Sequence, residues 1–183
     1  AENFGRDILN TVEQNSVIFL QGDHPVFNTQ YVYYTSGLRN DVRIIHLSKL
    51  LNGTGLRQIN KYYPELIIPT HGDTLANMLP IIEDNYDAHP LYATLPFEII
   101  PVGYRWVPYG LLYRLYKEED IPAYSQVSAR SQLIWDSYQH PLDGSLGKYK
   151  NLMLSNVTDY YKDASVRRGL YAATHGKDYE NAL

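Results

Sequence analysis

The spacing of apolar and polar positions predicts a strand–helix–strand unit near the start of the chain. Apolar residues recur at helical spacing between residues 2 and 14, and the run Val17–Leu20 that follows is apolar throughout. Such a run is typical of a strand that is buried on both faces. A helix over residues 25–36 leads to a second apolar run at residues 42–47. Together these elements have the length of a parallel βαβ unit.

The remainder of the chain predicts more strands and then helices. The predicted strands cover residues 90–94, 97–102 and 111–116, and the predicted helices cover residues 74–87, 128–139 and 149–182. The last two strands are joined through an aromatic turn at residues 103–110. They would add a hairpin at the edge of a parallel sheet.

A change in composition at the charged residues 117–120 marks a predicted domain boundary. We therefore predict an α/β domain over residues 1–118, with a three-layer, Rossmann-like and mostly parallel sheet. A helical extension over residues 119–183 would follow it. The tail of this extension, residues 169–183, resembles a helical repeat, and a single repeat cannot bury its own apolar face.

Composition narrows the classes of protein to which this chain could belong. Twenty acidic and 16 basic residues give a net charge of −4, which argues against a nucleic-acid-binding protein with its usual basic patch. The absence of cysteine excludes a disulfide scaffold, a cysteine-ligated zinc site and a cysteine nucleophile. No stretch is long and apolar enough for a transmembrane helix, and residues 1–10 lack the features of a signal peptide. Because the chain begins and ends inside predicted helices, we expect a soluble piece of a longer protein.

The ends of the first two predicted strands carry the candidate ligand-binding residues. Gly22, Asp23 and His24 come after the first strand, and His46 and Ser48 come at the end of the second. Ligands in an open α/β sheet bind outside the carboxyl ends of the strands, so these residues would line one crevice. A carboxylate beside an imidazole could act as acid and base. The alternative is that Asp23 only caps the helix that follows it.

The sequence predicts neither a metal nor a cofactor at this crevice. His71 and Asp73 could add an imidazole and a carboxylate from another loop, but the spacing of these groups matches no metal-binding motif. Gly53 and Gly55 superficially resemble a phosphate-binding loop, yet the lysine of such a loop is missing. A turn is the better interpretation of the two glycines.

Tyrosine is unusually abundant, with 18 residues against 4 Phe and 2 Trp. Its ring suits the C–H faces of a sugar and its hydroxyl suits the polar edges, so tyrosines could line a carbohydrate-binding surface. The alternative is packing at half-buried positions, with each hydroxyl bonded to water or to the backbone. Phe27, Tyr31 and Tyr34 form one aromatic stripe along the helix over residues 25–36.

Three segments match a known pattern in order and spacing: residues 15–23 (NSVIFLQGD), 37–48 (GLRNDVRIIHLS) and 108–115 (PYGLLYRL). They resemble the soluble region of large bacterial membrane proteins, a family of unknown function that is similar to protein O-mannosyltransferases and common in the Bacteroidetes. The matching residues are Gly22, Asp23, Phe27, Tyr31, Gly37, Arg39, Asp41, Gly110, Tyr113 and Arg114.

The sequence also departs from that family pattern at two places. His24 and Pro25 stand where the family usually has Asn-Asp, and Asn40 stands where it usually has Pro. The second acidic group of the pattern is therefore missing. Its loss weakens any hypothesis of catalysis by paired carboxylates.

The resemblance implies a membrane protein with this chain as its soluble part. A multi-span N-terminal region would transfer a glycosyl group from a lipid-linked sugar, and this chain would follow it on the extracytoplasmic, periplasmic face. The chain itself would be a non-catalytic accessory domain that contacts an acceptor, a glycan or a partner protein, besides its own membrane region. Two alternatives stay open: a small enzyme that uses a crevice of Asp23, His24 and His46, and a purely structural platform. A crevice filled by the chain's own side chains would favour the platform.

Overall fold

A computed structural model describes residues 2–69, 77–138, 142 and 152–176 of the chain. The helices are α1 (Glu2–Thr11), α2 (Asp23–Ser36), α3 (Gly53–Tyr62), α4 (Met78–Asn85), α5 (Tyr124–Ser137) and α6 (Leu152–His175). The strands are β1 (Val17–Leu20), β2 (Arg43–His46), β3 (Leu91–Ala93), β4 (Tyr104–Tyr109) and β5 (Leu112–Lys117). Short 3-10 turns cover Leu47–Leu51 and Glu118–Asp120.

The five strands form one mixed sheet in the order β2-β1-β3-β5-β4. β1 runs parallel to both β2 and β3, whereas β5 runs antiparallel to both β3 and β4. The prediction that β1 and β2 are adjacent and parallel is confirmed, as is the hairpin at the edge of the sheet. The prediction of a mostly parallel, Rossmann-like sheet is wrong. The tight connection between β4 and β5 makes these two strands antiparallel. β5, and not β4, lies beside β3 and runs antiparallel to it as well. Two of the five strands therefore belong to an antiparallel hairpin.

The boundaries of the hairpin also differ from the prediction. Residues 97–102 form no strand, and the segment predicted as an aromatic turn is β4 itself. Pro108 lies within β4, where it cannot donate a backbone hydrogen bond. Proline is tolerated on an edge strand, and β4 is the last strand of the sheet.

Gly110 makes the turn between β4 and β5 possible. Its φ of 58° lies in the left-handed region, which costs a residue without a Cβ little. A Cβ at this position would lie 2.4 Å from the hydroxyl oxygen of Tyr138. That hydroxyl also accepts a hydrogen bond from the Leu111 backbone at 3.0 Å and contacts Thr11 Oγ1 at 2.7 Å. Tyr138 thereby joins the end of α5 to α1 and to the hairpin turn.

Two hydrophobic cores lie on opposite faces of the sheet. β1 contributes to both, as its apolar run predicts: Ile18 and Leu20 belong to one core, and Val17 and Phe19 to the other. The first core includes side chains from α1, α2, α5 and α6, and the second includes side chains from α3 and α4. The predicted boundary between residues 118 and 119 and the predicted helical repeat stay predictions.

The helix α6 is tied to α1 by a buried polar contact. The hydroxyl of Tyr161 donates a hydrogen bond to the carboxylate of Asp7, and the Tyr161 ring lies 5.6 Å from the ring of Phe4 in an edge-to-face arrangement. Burial raises the pKa of Asp7 to about 6, and the hydrogen bond from Tyr161 opposes this rise.

The aromatic stripe of α2 faces outward. Phe27, Tyr31 and Tyr34 are 64%, 59% and 69% exposed, whereas α2 buries Val26 and Val32 against the core. A stripe at this spacing usually faces the core of a protein. Here the smaller side chains of α2 occupy that face, and the large rings remain on the surface.

We expect Phe19→Ala to lower the free energy of unfolding by about 3–5 kcal/mol, because the loss of the ring's burial and the cavity that it leaves both destabilise the folded state. Phe19 is 1% exposed and contacts the ring of Phe97 edge-on at 5.7 Å. Phe27→Ala is the matched control on an exposed ring and should change stability by no more than about 0.5 kcal/mol. Urea unfolding monitored by circular dichroism measures both values. A loss below about 1 kcal/mol for Phe19→Ala would contradict a central position of β1.

Candidate functional site

The helix α6 covers the predicted ligand-binding crevice at the end of β1. Gly22 has a φ of 87°, and a Cβ there would lie 2.7 Å from the hydroxyl oxygen of Tyr160. Asn156 Nδ2 lies 2.9 Å from His24 Nε2, so the amide donates a hydrogen bond to the imidazole. A residue without a Cβ allows another group to come close to the backbone. The group that does so is a side chain of the protein itself.

Asp23 is the first residue of α2 and not its N-cap. Gly22 occupies the N-cap position, and no side chain caps this helix. The interpretation of Asp23 as a capping residue is therefore wrong, because the chain enters the helix one residue earlier. Burial raises the pKa of Tyr160, and the charges of Asp23 and Asp163 add to this rise.

His46 and Ser48 lie at the end of β2 and pair with each other. Ser48 Oγ is 3.4 Å from His46 Nδ1. Within the described residues no hydrogen bond joins them to Asp23 or His24, and no group of three or more His, Asp or Glu side chains could hold a metal ion. His71 and Asp73 lie outside the described residues. Ligand binding by Gly22, Asp23, His24, His46 and Ser48 stays a prediction.

A different concave site lies at the antiparallel half of the sheet. An open cavity of about 410 Å³ is lined by the segment after α1, by β4 and β5, and by the N-terminal part of α5 with the residues before it. Its polar lining consists of Glu13, Tyr109, Arg114, Tyr116, Gln126 and Arg130. Its apolar lining consists of Val107, Pro122 and Val127. We call this cavity the Arg114 pocket.

Arg114 extends from β5, an interior strand next to the edge of the sheet, into a cluster of tyrosines. Its guanidinium carbon lies 4.6 Å from the ring centre of Tyr116, 5.8 Å from that of Tyr92 and 5.9 Å from that of Tyr109. Tyr92 lies directly opposite Arg114 on β3, and cross-strand partners share a face of the sheet. Cation–π contact of this kind stabilises a partly desolvated arginine, and the Arg114 side chain is only 20% exposed.

An ion pair joins Arg114 to Glu13 in the lining of the pocket. The hydroxyl of Tyr109 connects this pair to α5: it accepts a hydrogen bond from Arg130 Nε at 2.8 Å and lies 3.4 Å from Glu13 Oε1. The result is a chain of polar groups that runs from the interior of the sheet to the surface of α5. It presents both donors and acceptors to the cavity.

The buried phenols beside Arg114 stay protonated at neutral pH. Burial raises the pKa of Tyr116 to about 12, and the nearby Arg114 charge opposes this rise. Burial likewise raises the pKa of Tyr92. The Tyr92 hydroxyl forms no hydrogen bond of ordinary geometry within the described part of the chain, although the Glu13 backbone is close enough to lower its pKa slightly.

Arg39 fixes the position of Glu13. Its guanidinium donates hydrogen bonds to the backbone oxygens of Leu9, Val12 and Glu13 at 2.8–2.9 Å, at the C-terminal end of α1 and just after it. It also forms an ion pair with Asp41 at 2.9 Å. The φ of Arg39 is 61°, a conformation that is costly for a residue with a Cβ, and this network offsets the cost.

The sequence-based prediction of site residues did not find the Arg114 pocket. Arg114, Arg39 and Asp41 were among the residues that matched the family pattern, but no role followed from the match. The available signal was a charged residue within the otherwise apolar and aromatic run at residues 111–116. Nothing in the sequence pointed to Glu13 or Arg130, because they come from distant parts of the chain.

Comparison with known proteins gives one match. A family model described as TMEM260-associated domain 2 matches residues 1–62, about one third of the chain. Glu13, Arg39 and Asp41 lie in the matched part, as do all five residues of the predicted crevice. No curated protein and no solved structure matches the chain.

The family match is consistent with a domain that is associated with a membrane protein. It lends no support to similarity with O-mannosyltransferases or to a bacterial origin, and both stay predictions. Among the described helices, none has the length and hydropathy needed to cross a bilayer.

The position of Asp23 predicts small effects of its substitution on stability. Asp23→Asn and Asp23→Ala should each lower the free energy of unfolding by less than about 0.5 kcal/mol, since only a favourable charge near the helix start is lost. A true capping residue would lose about 0.5–2 kcal/mol on change to Ala and almost nothing on change to Asn. Urea unfolding of the two variants measures the difference. A clear loss for Ala alone would restore the capping role.

The Arg39–Asp41 pair predicts a loss of stability in acid. Hydrogen bonds from Arg39 lower the pKa of Asp41 to about 2, from an ordinary value near 3.8, against the opposing effect of burial. The stabilisation is therefore complete above about pH 4 and is lost as the pH falls towards 2. Between pH 5 and pH 3, Asp41→Asn should lose less stability in urea unfolding than the unchanged protein does.

A matched control for Asp41 is Glu2→Gln, which removes an exposed ion pair with Arg6. Exposed pairs contribute little to stability, so this variant should follow the unchanged protein over the same pH range. Identical pH profiles for Asp41→Asn and the unchanged protein would contradict the assigned role of Asp41.

Proposed function

We propose that this chain is a non-catalytic accessory domain of a membrane protein and that it binds a glycan in the Arg114 pocket. The family match to a TMEM260-associated domain supports the first part of the proposal. The pocket itself supports the second. Its volume of about 410 Å³ is within the usual range for small-molecule sites.

The lining of the pocket suits a sugar ring. A pyranose offers C–H groups on its faces and hydroxyl groups around its edge, and each hydroxyl both donates and accepts hydrogen bonds. Val107, Pro122 and Val127 provide apolar contact. Arg130 provides donors, and the Glu13 carboxylate provides an acceptor. The polar groups are held by one another, so little side-chain entropy remains to be lost on binding.

The polar groups of the pocket favour binding over catalysis. Hydrolysis of a glycosidic bond usually needs two carboxyl groups, one on each side of the bond. Glu13 is the one carboxylate among the described residues that line the pocket, and it is neutralised by Arg114. An ion-paired carboxylate with a fixed partner is a poor choice for a general acid.

The membrane protein to which the domain is attached would be glycosyltransferase-like, as the sequence resemblance implies, with this domain on its extracytoplasmic face. The glycan would then be part of an acceptor or a product. The extracytoplasmic location and the glycosyl-transfer activity of the membrane protein are proposed from the sequence resemblance.

A structural platform is the second candidate function. The observation that favours it is the contact of Tyr160 and Asn156 with Gly22 and His24, which leaves the end of β1 occupied by α6. The two functions can coexist, because the Arg114 pocket lies on another part of the sheet. The enzyme alternative with Asp23, His24 and His46 gains no support from these contacts.

A pocket-filling variant tests glycan binding. Val127→Trp should weaken the binding of galactose and galacturonic acid at least tenfold, because the indole occupies the space that the sugar ring needs. Gln126→Trp, from an exposed position at the rim of the pocket, provides a second test if the first variant disturbs α5. Binding to each protein is measured by ligand-observed NMR and by isothermal calorimetry.

Leu133→Trp is the matched control for these variants. Leu133 lies on α5, is 64% exposed and does not line the pocket. It should bind both sugars as the unchanged protein does. Absence of saturable binding of either sugar to the unchanged protein would refute the proposed function, and so would equal binding by Val127→Trp and Gln126→Trp.

A further inference from the structure

The charges of the Arg114 pocket do not balance. Two arginines, Arg114 and Arg130, face one carboxylate, Glu13. Arg114 and Glu13 neutralise each other in a direct ion pair. Arg130 has no carboxylate partner within the described part of the chain, so the pocket retains one positive charge in a protein whose net charge is −4.

Arg130 has hydrogen-bond donors that no described residue accepts. It uses Nε for the hydrogen bond to the Tyr109 hydroxyl, and its two Nη groups form no hydrogen bond with any described residue. These Nη groups belong to a planar guanidinium whose orientation is restricted by that bond. A guanidinium held in this way offers two parallel donors that match the two oxygens of a carboxylate.

Nearby acidic residues do not cancel this charge. The turn Glu118–Asp120 precedes the pocket residue Pro122, but its side chains are exposed and do not line the cavity. Glu118 is also paired with Arg105 at 2.8 Å. Arg130 is exposed as well, but unlike these acidic residues it lines the cavity.

We infer that the Arg114 pocket binds an acidic sugar, a pyranose whose ring carries a carboxylate, with that carboxylate on Arg130. The ring contacts the apolar wall of Val107, Pro122 and Val127, and its hydroxyls contact Tyr109 and Glu13. A neutral sugar of the same shape would leave the Nη donors of Arg130 without an anionic partner. This inference rests on the proposed glycan-binding function and specifies its ligand class.

Galacturonic acid and galactose form a matched pair of probes, because they differ at one carbon, which is a carboxylate in the first and a CH₂OH group in the second. At pH 7, galacturonate should bind the unchanged protein at least tenfold more tightly than galactose. Arg130→Gln should weaken the binding of galacturonate at least tenfold and that of galactose by much less, so that the preference is lost. Raising NaCl from 20 to 500 mM should weaken the binding of galacturonate and leave that of galactose unchanged.

The control variant is Arg57→Gln, which removes an exposed arginine of α3 that does not line the pocket and should leave both affinities unchanged. Acetate and N-acetylalanine serve as carboxylates without a sugar ring, and they should compete at least tenfold less well than galacturonate. Equal competition would identify a general carboxylate or peptide C-terminus site and overturn the inference.

The possible failures are distinguishable. Equal affinity for galacturonate and galactose, with both lost in Val127→Trp, overturns the acidic-sugar inference and leaves glycan binding intact. A preference for galacturonate that persists in Arg130→Gln overturns the assignment of the carboxylate to Arg130. Binding of neither sugar overturns the glycan-binding function itself.

Discussion

The hydrogen bonds from Arg39 to the end of α1 are the constraint on which the candidate site depends. Three backbone carbonyls converge on one guanidinium, and Asp41 holds that guanidinium from the other side. Because one of these carbonyls belongs to Glu13, the same contact decides where the Glu13 carboxylate meets Arg114. Arg39 therefore helps to position α1, the segment before β2 and the Glu13 side chain of the pocket.

The mixed sheet explains where the pocket lies. In the parallel half, side chains of helices pack against both faces of the sheet, and α6 also covers the turn after β1. The hairpin of β4 and β5 extends the sheet beyond β3, and α5 lies beside it. The cavity lies between these elements, and the tyrosines of adjacent strands line up there because alternate residues of a strand share a face.

The sequence predicted the local elements better than their assembly. The apolar run of β1, the helix α2 and the parallel pairing of β1 with β2 all follow from patterns within a short segment. The direction of β5 and the start of β4 do not, because aromatic residues suit a strand as well as a turn. The site was missed for a similar reason: Glu13, Arg114 and Arg130 are remote in the chain, and only the folded sheet brings them together. The prediction of a crevice at Gly22 and His24 did not take account of α6, because no local sequence pattern specifies where that helix packs.

Pro108 has a consequence for how the protein behaves in a crowded solution. The outer edge of a sheet is a template on which a foreign strand can add, and continued addition leads to fibrils. On β4, the proline removes one backbone donor from this edge, and Arg105 places a charge near it. The hairpin that lines the Arg114 pocket thus also ends the hydrogen-bonded sheet at its fifth strand.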